Sequence, residues 1–290
     1  MSSTNLFRLR SDGRGISLRS TEPLAIDEQA DCLQFATQAA TPAVRPPDPD
    51  RFRGKCIAIT SLNPNPEKQE RQRICVQSWR DIGLEVVAVN TAAELARLDT
   101  GLSNLVHGHV NENTTLEYAK PTQRISSILK AGRQNGIPFI LINSDIEING
   151  DPQVITDALA EPYKLTIGVR YNHEPGQSIT AAEYEPWGLD CFLMTPDLAA
   201  TVPNLPFGIG KPVWDYWLPH HFRSRAVKFN WIRRPFFFHE RHPLGWSQVE
   251  WNLGARWMQE FCGVPLAQSS IAYRQTLNMH SNESKQRAAI

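Results

Sequence analysis

Two acidic residues follow a strongly apolar run in the segment 143–147, Asn-Ser-Asp-Ile-Glu, and they are the clearest candidates for chemistry in this sequence. Alternate residues of an extended chain point the same way, so we expect Asp145 and Glu147 to present two carboxylates on one side. Neighbouring carboxylates repel unless a cation lies between them. Their hard oxygen atoms suit Mg²⁺ or Mn²⁺ carrying a diphosphate. The alternative interpretation is a solvated turn.

A pair of histidines, His239 and His242, follows the aromatic run PFFF. Either imidazole could provide a further metal ligand or a hydrogen-bond donor to a diphosphate. The pattern H-x-x-H without cysteines or a helix is a weak zinc signature, so a pair of ordinary loop histidines stays open as the alternative.

Asp215 stands between Trp214 and Trp217 in the segment GIGKPVWDYWL. Aromatic faces stack on the C–H surfaces of sugars, and a carboxylate beside them can accept a proton from a hydroxyl group. The pattern therefore favours a sugar site with Asp215 as the base. The alternative is that Asp215 begins a helix and that both tryptophans are core residues.

Two further charged residues lie in strand-like segments, Arg170 in GVR and Asp190 in GLD. Arg170 could clamp a phosphate or hold Asp145 in place, and Asp190 could bind an acceptor hydroxyl. Both could equally be ordinary ion-pair partners. The chain has neither a complete G-x-G-x-x-G nor a P-loop pattern, which excludes those two nucleotide-binding motifs.

Alternating strand and helix patterns precede the acidic segment and should position it. Strands are predicted at 55–60, 84–90, 104–110 and 137–143, and helices from Pro66 to Gly83 and over 92–98 and 122–135. This order predicts an α/β sandwich with right-handed crossovers. Ligands of such sheets bind beyond the carboxyl ends of the strands, where Ser61 and Asn90 also lie. Beyond Gly150, seven of the eight tryptophans and several strand-like pieces predict a mixed, aromatic-rich half.

Composition limits the remaining possibilities. Lys plus Arg and Asp plus Glu are 30 each, so the zero net charge argues against a nucleic-acid partner. No stretch of 18 apolar residues occurs, which predicts that no transmembrane segment is present. Five widely spaced cysteines without a CxxC pattern, and an N-terminus without an apolar signal region, fit a cytoplasmic protein.

The boundaries follow from proline content and polarity. Residues 1–53, with four prolines between 41 and 54, are predicted to be a poorly ordered N-terminal extension. Residues 54–275 are predicted to form one domain, and 276–290 a polar tail.

Five segments together resemble a known family. ILINSDIEI, GVRYNHEP, WGLDCFLM, PFGIGKPVWDYWLP and HERHPLGWS occur in this order within about 54–260. They resemble a little-characterised family of GT-A-like nucleotide-diphospho-sugar transferases, with its NSDI strand end, WDxWL segment and late H-x-x-H. The resemblance implies a GT-A-like, Rossmann-type α/β/α sandwich with a mixed C-terminal half.

The same resemblance implies a metal-dependent glycosyltransferase of the hexosyltransferase type. Its cofactor would be Mn²⁺ or Mg²⁺, its donor a nucleotide sugar with a UDP-sugar favoured, and its acceptor a glycan or another hydroxyl compound. Asp145 matches the first carboxylate of the D-x-D position, Glu147 replaces the last one, and His239 or His242 matches the late metal-binding histidine.

The remaining roles also come from the resemblance. Asp215 matches the base that activates the acceptor, which implies single displacement with inversion. Ser61 and Asn90 would lie near the nucleotide base and ribose. Two other functions stay open on the residues alone: a nucleotidyltransferase acting on sugar phosphates, although SLNPNPEK lacks the expected glycines, and a non-catalytic carbohydrate-binding protein.

Overall fold

The computed structural model describes residues 51–118, 120–243 and 245–264. Most of the predicted extension, the polar tail and the last residues of the predicted domain therefore lie outside the described residues. Phe52, placed by sequence in the extension, is 1% exposed and belongs to the core.

Ten strands are found in this described part of the chain. They are β1 (Ile57–Thr60), β2 (Glu85–Asn90), β3 (His107–Val110), β4 (Thr114–Thr115), β5 (Thr122–Gln123), β6 (Phe139–Ile142), β7 (Ile146–Ile148), β8 (Lys164–His173), β9 (Glu183–Met194) and β10 (Lys228–Glu240).

Eight α-helices and one 3₁₀ turn (Ile179–Ala181) connect these strands within the same ranges. The helices are α1 (Pro66–Asp81), α2 (Ala92–Leu95), α3 (Thr100–Ser103), α4 (Ile125–Gln134), α5 (Gln153–Leu159), α6 (Pro196–Ala200), α7 (Trp214–Arg223) and α8 (Gln248–Cys262).

Eight strands form one mixed sheet in the order β3-β2-β1-β6-β9-β8-β10-β7. The first four are mutually parallel. β9 runs antiparallel to both of its neighbours, so β8 and β10 again point in the direction of β6. The carboxyl ends of β1, β2, β6, β8 and β10 therefore meet at one edge. A mixed α/β fold is confirmed, although β6 borders a parallel strand on one side only.

Both faces of the sheet are covered by apolar residues. Along β6, Phe139 and Leu141 belong to one core cluster, whereas Ile140 and Ile142 belong to another. Helices α4, α7 and α8 contribute to the first cluster, and α1 contributes Cys75, Val76 and Trp79 to the second. The alternation follows from the two-residue period of a strand, and it explains why β6 is apolar throughout.

Local signals set the bounds of the first helix. The Asn65 side chain accepts a hydrogen bond from the backbone N–H of Glu67, Pro66 occupies the first turn, and Gly83 has φ of 94° just beyond the end. The predicted helix over 122–135 is shorter than expected. Thr122–Gln123 instead pairs with Thr114–Thr115 as a small antiparallel ribbon, and the helix begins at Ile125.

No helix of these residues is long and apolar enough to cross a membrane.

Candidate metal centre and adjoining polar cluster

Asp145 lies in the turn that joins β6 to β7 at the carboxyl edge of the sheet. The turn is closed by the backbone N–H of Ile146, which donates to the carbonyl of Asn143 at 3.2 Å. β7 then pairs antiparallel with β10, with Ile146 opposite His239. This register brings a residue of the first half of the chain beside a histidine of the second half.

Asp145, His239 and His242 converge on one point. The Nε2 atom of His242 lies 3.1 Å from Oδ2 of Asp145, and that of His239 lies 3.7 Å from the same oxygen. The two Nε2 atoms are 3.2 Å apart. Adjacent ligands about 2.1 Å from one metal ion lie about 3 Å apart, so the spacing of all three atoms fits a shared ion.

Hydrogen bonds fix the tautomers of both histidines. Asn172 donates through Nδ2 to Glu185 at 3.1 Å, so its oxygen faces His239 and accepts from Nδ1–H at 3.1 Å. In His242, Nδ1–H donates to the carbonyl of Pro243 at 2.8 Å. Each Nε2 atom is therefore the ring nitrogen left to bind a metal ion through its lone pair or, when the ring is protonated, to donate a hydrogen bond within the cluster. The donor set thus fits a metal ion.

Hydrogen bonds and charge also link Asp145 directly to the two histidines. Burial alone would raise the pKa of Asp145, but hydrogen bonds and charge from the two histidines hold it well below its usual range. The hydrogen bond to Asp145 raises the pKa of His242, against the opposing effect of burial. Asp145 is therefore ionised and available as an oxygen ligand.

Glu147 is not part of this cluster, which corrects the predicted ligand set. The chain turns at Asp145 instead of running extended, so the two carboxylates do not share one side. Glu147 instead accepts a hydrogen bond at 3.1 Å from Nη1 of Arg71 on α1. Metal coordination by His239, His242 and Asp145 stays a prediction that the geometry supports.

A second polar group adjoins the cluster at the same edge. Asp190 on β9 accepts hydrogen bonds at 2.6 Å from Nη1 of Arg170 and from Nδ2 of Asn143. Asp145 also acts on Arg170, because the charges of Asp190 and Asp145 raise its pKa although burial opposes this. Arg170 therefore interacts with both the candidate metal cluster and Asp190, and Asp190 is an ion-pair partner in this structure.

Asp215 lies at the start of α7, near Asp190 and Arg170. Burial raises the pKa of Asp215 to about 8, the negative charge of Asp190 adds to this, and Arg170 and two backbone N–H groups oppose it.

Just before α7, Val213 has φ of 78°, a strained conformation for a β-branched residue. Its side chain is buried, so packing fixes the direction in which α7 begins.

Trp214 and Trp217 do not line this site, which corrects their predicted role in acceptor binding. They are 2% and 1% exposed. Trp217 stacks on Phe207 with ring centroids 4.5 Å apart, and Trp214 packs edge-on against Phe192. Helical spacing places both on the face of α7 that meets the sheet, so neither ring has a free face for a sugar.

Ser61 and Asn90 lie at the predicted edge, after β1 and at the end of β2. The side chain of Asn90 is buried and bonded to the backbone N–H and carbonyl of Leu62 at 2.9 and 2.8 Å. It also donates to Ser61 at 3.2 Å. Asn90 thus holds the loop after β1 in shape, and contact of either residue with a nucleotide stays a prediction.

Sequence reasoning missed two residues that bear on the site. Asn172 orients His239, and its spacing of two from Arg170 along one strand could have suggested it. No local pattern in the sequence marks Arg71 on α1 as a site residue, because only the tertiary fold brings it into contact with Glu147. Its Nε and Nη2 atoms, together with Nε of Arg170 and Oδ1 of Asn143, are buried without a hydrogen-bond partner among the described residues.

A cavity of about 390 Å³ lies elsewhere, between α4 and α6, and is lined by Lys130, Arg133 and Asp197 among others. It contains none of the residues of the metal cluster.

Comparisons with known proteins leave the family open. No family model matches the chain, and no curated protein matches it. One similar solved structure is described as "Crystal Structure of a Mycobacterial Protein", with 15% sequence identity and a TM-score of 0.46 over 72% of this chain and 75% of that chain.

Proposed function

We propose that this protein is a metal-dependent glycosyltransferase that moves a sugar from a nucleotide-diphosphate donor to an acceptor hydroxyl. The observation that carries the proposal is the cluster of Asp145, His239 and His242 at the carboxyl edge of a mixed α/β sheet. The GT-A-like fold assigned from the sequence resemblance is part of the proposal. Ligand binding at that edge is the general behaviour of open α/β sheets.

The donor set narrows the choice of metal. Two imidazole nitrogens and one carboxylate oxygen disfavour Mg²⁺, which prefers oxygen ligands. Of the two ions expected from the sequence, Mn²⁺ is therefore the better fit. When bound, the ion would neutralise charge on the leaving diphosphate.

Two guanidinium groups support an anionic ligand: Arg170, on which the charge of Asp145 acts, and Arg71, which pairs with Glu147 two residues beyond Asp145. Arg71 and Arg170 each pair with one carboxylate, yet both retain buried N–H groups without an acceptor among the described residues. Each unsatisfied buried donor costs about 1–3 kcal/mol. Small side-chain rotations toward a diphosphate would give these donors acceptor oxygens, because phosphate suits the planar fork of Arg.

Asp215 is the candidate base for the acceptor. Its pKa of about 8 lies close to neutral pH, which is the range in which a carboxylate can take a proton efficiently in the transition state. In this role Asp215 accepts the proton of the acceptor hydroxyl as the hydroxyl oxygen attacks the anomeric carbon, and the bond from that carbon to the diphosphate oxygen breaks so that the nucleoside diphosphate leaves. Asp190, which accepts hydrogen bonds from Arg170 and Asn143, provides the negative charge that helps to raise the pKa of Asp215. A single displacement of this kind inverts the anomeric centre.

Calorimetric titration with UDP, with and without Mn²⁺, tests the proposal directly. Wild-type protein should bind UDP at least tenfold more tightly with Mn²⁺ than with Mg²⁺. Asp145→Asn should lose the Mn²⁺ effect, whereas Glu147→Gln, two residues away and outside the cluster, should keep it. Equal UDP affinity with and without metal, or equal loss in both variants, would overturn the metal assignment.

A turnover assay separates the alternatives. Mn²⁺-dependent release of UDP from a UDP-sugar is expected of the glycosyltransferase. Release of pyrophosphate from UTP and a sugar phosphate would instead indicate the nucleotidyltransferase, and saccharide binding without either reaction would indicate a carbohydrate-binding protein.

A further inference from the structure

Three half-buried aromatic residues, Tyr216, Trp246 and Trp251, form a connected group that we call the aromatic wall. Trp246 stacks on Trp251 with ring centroids 5.6 Å apart and planes 28° apart. Tyr216 meets Trp251 edge-on at 6.0 Å and 77°. All three are partly exposed, in contrast to Trp214 and Trp217.

The aromatic wall is connected to the candidate site through Tyr216. Tyr216 follows Asp215 directly in α7, and the charges of Asp215 and Asp190 act on its hydroxyl group, whose pKa burial already raises. Trp246 lies four residues beyond His242, in the segment that leads from β10 to α8. In the chain, the wall thus combines the residue that follows the candidate base with a residue of the segment that follows a candidate metal ligand.

A capping box and an ion pair at the start of α8 hold this helix against the segment that leads into α7. Ser247 and Glu250 form a reciprocal capping box at the start of α8. Glu250 also accepts a hydrogen bond at 2.6 Å from Lys211, in the segment that leads into α7. The start of α8, which bears Trp251, is thus tied to the segment that precedes Asp215, and the spacing between the wall and the base is fixed by an ion pair.

Trp246 is the member of the wall with unused binding capacity. Within the described ranges, Trp251 is its one aromatic partner, and its indole N–H has no hydrogen-bond acceptor. A half-buried indole supported on one face by a second indole is a rigid apolar surface with a polar edge. This combination matches a pyranose ring, which offers a flat C–H face and hydroxyl groups at its rim.

We propose that Trp246, supported by Trp251, is a subsite that stacks against a pyranose ring of a glycan acceptor and so presents the acceptor hydroxyl to Asp215. The inference rests on the proposed glycosyltransferase function and specifies its acceptor class. The wall is assigned to the acceptor because its first member, Tyr216, directly follows the candidate base Asp215, and because the wall offers aromatic faces and not the cationic groups that a diphosphate requires.

Binding of labelled protein to a glycan array, in the presence of Mn²⁺ and UDP, tests this subsite. Wild-type protein should bind a subset of the glycans. Trp246→Ala should weaken that binding about tenfold or more, and Trp246→Phe should restore part of it, because a stacking face is what the subsite contributes. Phe261→Ala is the matched control, since Phe261 is an exposed aromatic residue of α8 at 43% exposure and outside the wall.

UDP affinity in the presence of Mn²⁺ is the second measurement. It should be unchanged in Trp246→Ala, and an equal loss of UDP affinity would move the wall to the donor and overturn the inference. If wild-type protein binds UDP with Mn²⁺ but binds no glycan, or if Trp246→Ala binds the same glycans equally well, the subsite is refuted while the proposed function stands. If wild-type protein binds no UDP, the proposed function itself fails.

Discussion

Substitution of Asp215 by Asn should stabilise the fold and remove turnover at the same time. The pKa of Asp215 is raised from 3.8 to about 8, chiefly by burial and then by the charge of Asp190, while Arg170 opposes the shift. A group with a raised folded-state pKa contributes stability that is fully present below the unfolded value of about 3.8 and is lost as pH rises toward 8. The ionisable groups facing it are Asp190, Arg170 and Tyr216.

The size of the effect follows from the same shift. Each pKa unit corresponds to about 1.36 kcal/mol, so the shift costs the wild-type protein at most about 4 kcal/mol at pH 7 relative to pH 3. Water that reaches the half-buried carboxyl reduces this cost, and we expect about 2 kcal/mol of stabilisation from Asp215→Asn at pH 7. Asn has nearly the same shape, and its amide oxygen can accept the same hydrogen bonds from the backbone N–H groups of residues 215 and 216, so few other contacts change.

Urea denaturation at pH 4.5 and pH 8 measures this difference, which should grow with pH. Asp197→Asn is the control, because Asp197 is an exposed residue in the first turn of α6 and its loss should matter by less than about 0.5 kcal/mol at either pH. Turnover of the Asp215→Asn variant should fall by a factor of about 10² to 10⁴, which is the usual contribution of a general base. A variant that is no more stable at pH 8, or that retains turnover, would refute the reasoning.

Two further predictions concern buried positions away from the metal cluster. His221→Gln should reduce the loss of folding stability on acidification. Burial, then Arg225 and His220, lower the pKa of His221 to about 4, so the unfolded wild-type chain binds a proton there before the folded protein does. In urea denaturation, the wild type should lose about 2 kcal/mol between pH 7.5 and pH 5 that the variant keeps. Equal losses in both proteins would contradict this. Gly168→Ala should destabilise the fold by about 3 kcal/mol or more, because the added Cβ would lie 2.2 Å from Cε2 of buried Phe237. An unchanged midpoint of thermal unfolding would show that the sheet adjusts at this contact.

Local elements were predictable because their signals are local. Asn65, Pro66 and Gly83 act within a few residues of the helix that they bound, and the apolar run at 139–142 needs both faces of a sheet covered. The sequence also placed Asp145 just beyond that strand and the two histidines just beyond the PFFF run. The predicted ligand set therefore contained all three members of the cluster, together with Glu147, which lies outside it.

Side-chain direction in the acidic segment was decided by tertiary structure. An extended chain would have placed Asp145 and Glu147 on one side, but a turn at 143–146 lets β7 pair with β10. That pairing directs Asp145 toward His239 and leaves Glu147 to Arg71 on α1. Arg71 is 76 positions from Glu147, so no local pattern could have indicated the ion pair.

Tertiary structure also decided which tryptophans are buried and which remain partly exposed. Sequence marked Trp214 and Trp217 because they flank an acid, yet helical periodicity does not say which face of α7 meets the sheet. Packing of that helix on Phe192 and Phe207 buries both rings. Trp246 and Trp251, to which the sequence analysis assigned no role, come together at the start of α8 and remain partly exposed, because burial is a property of the assembled layers and not of the local sequence.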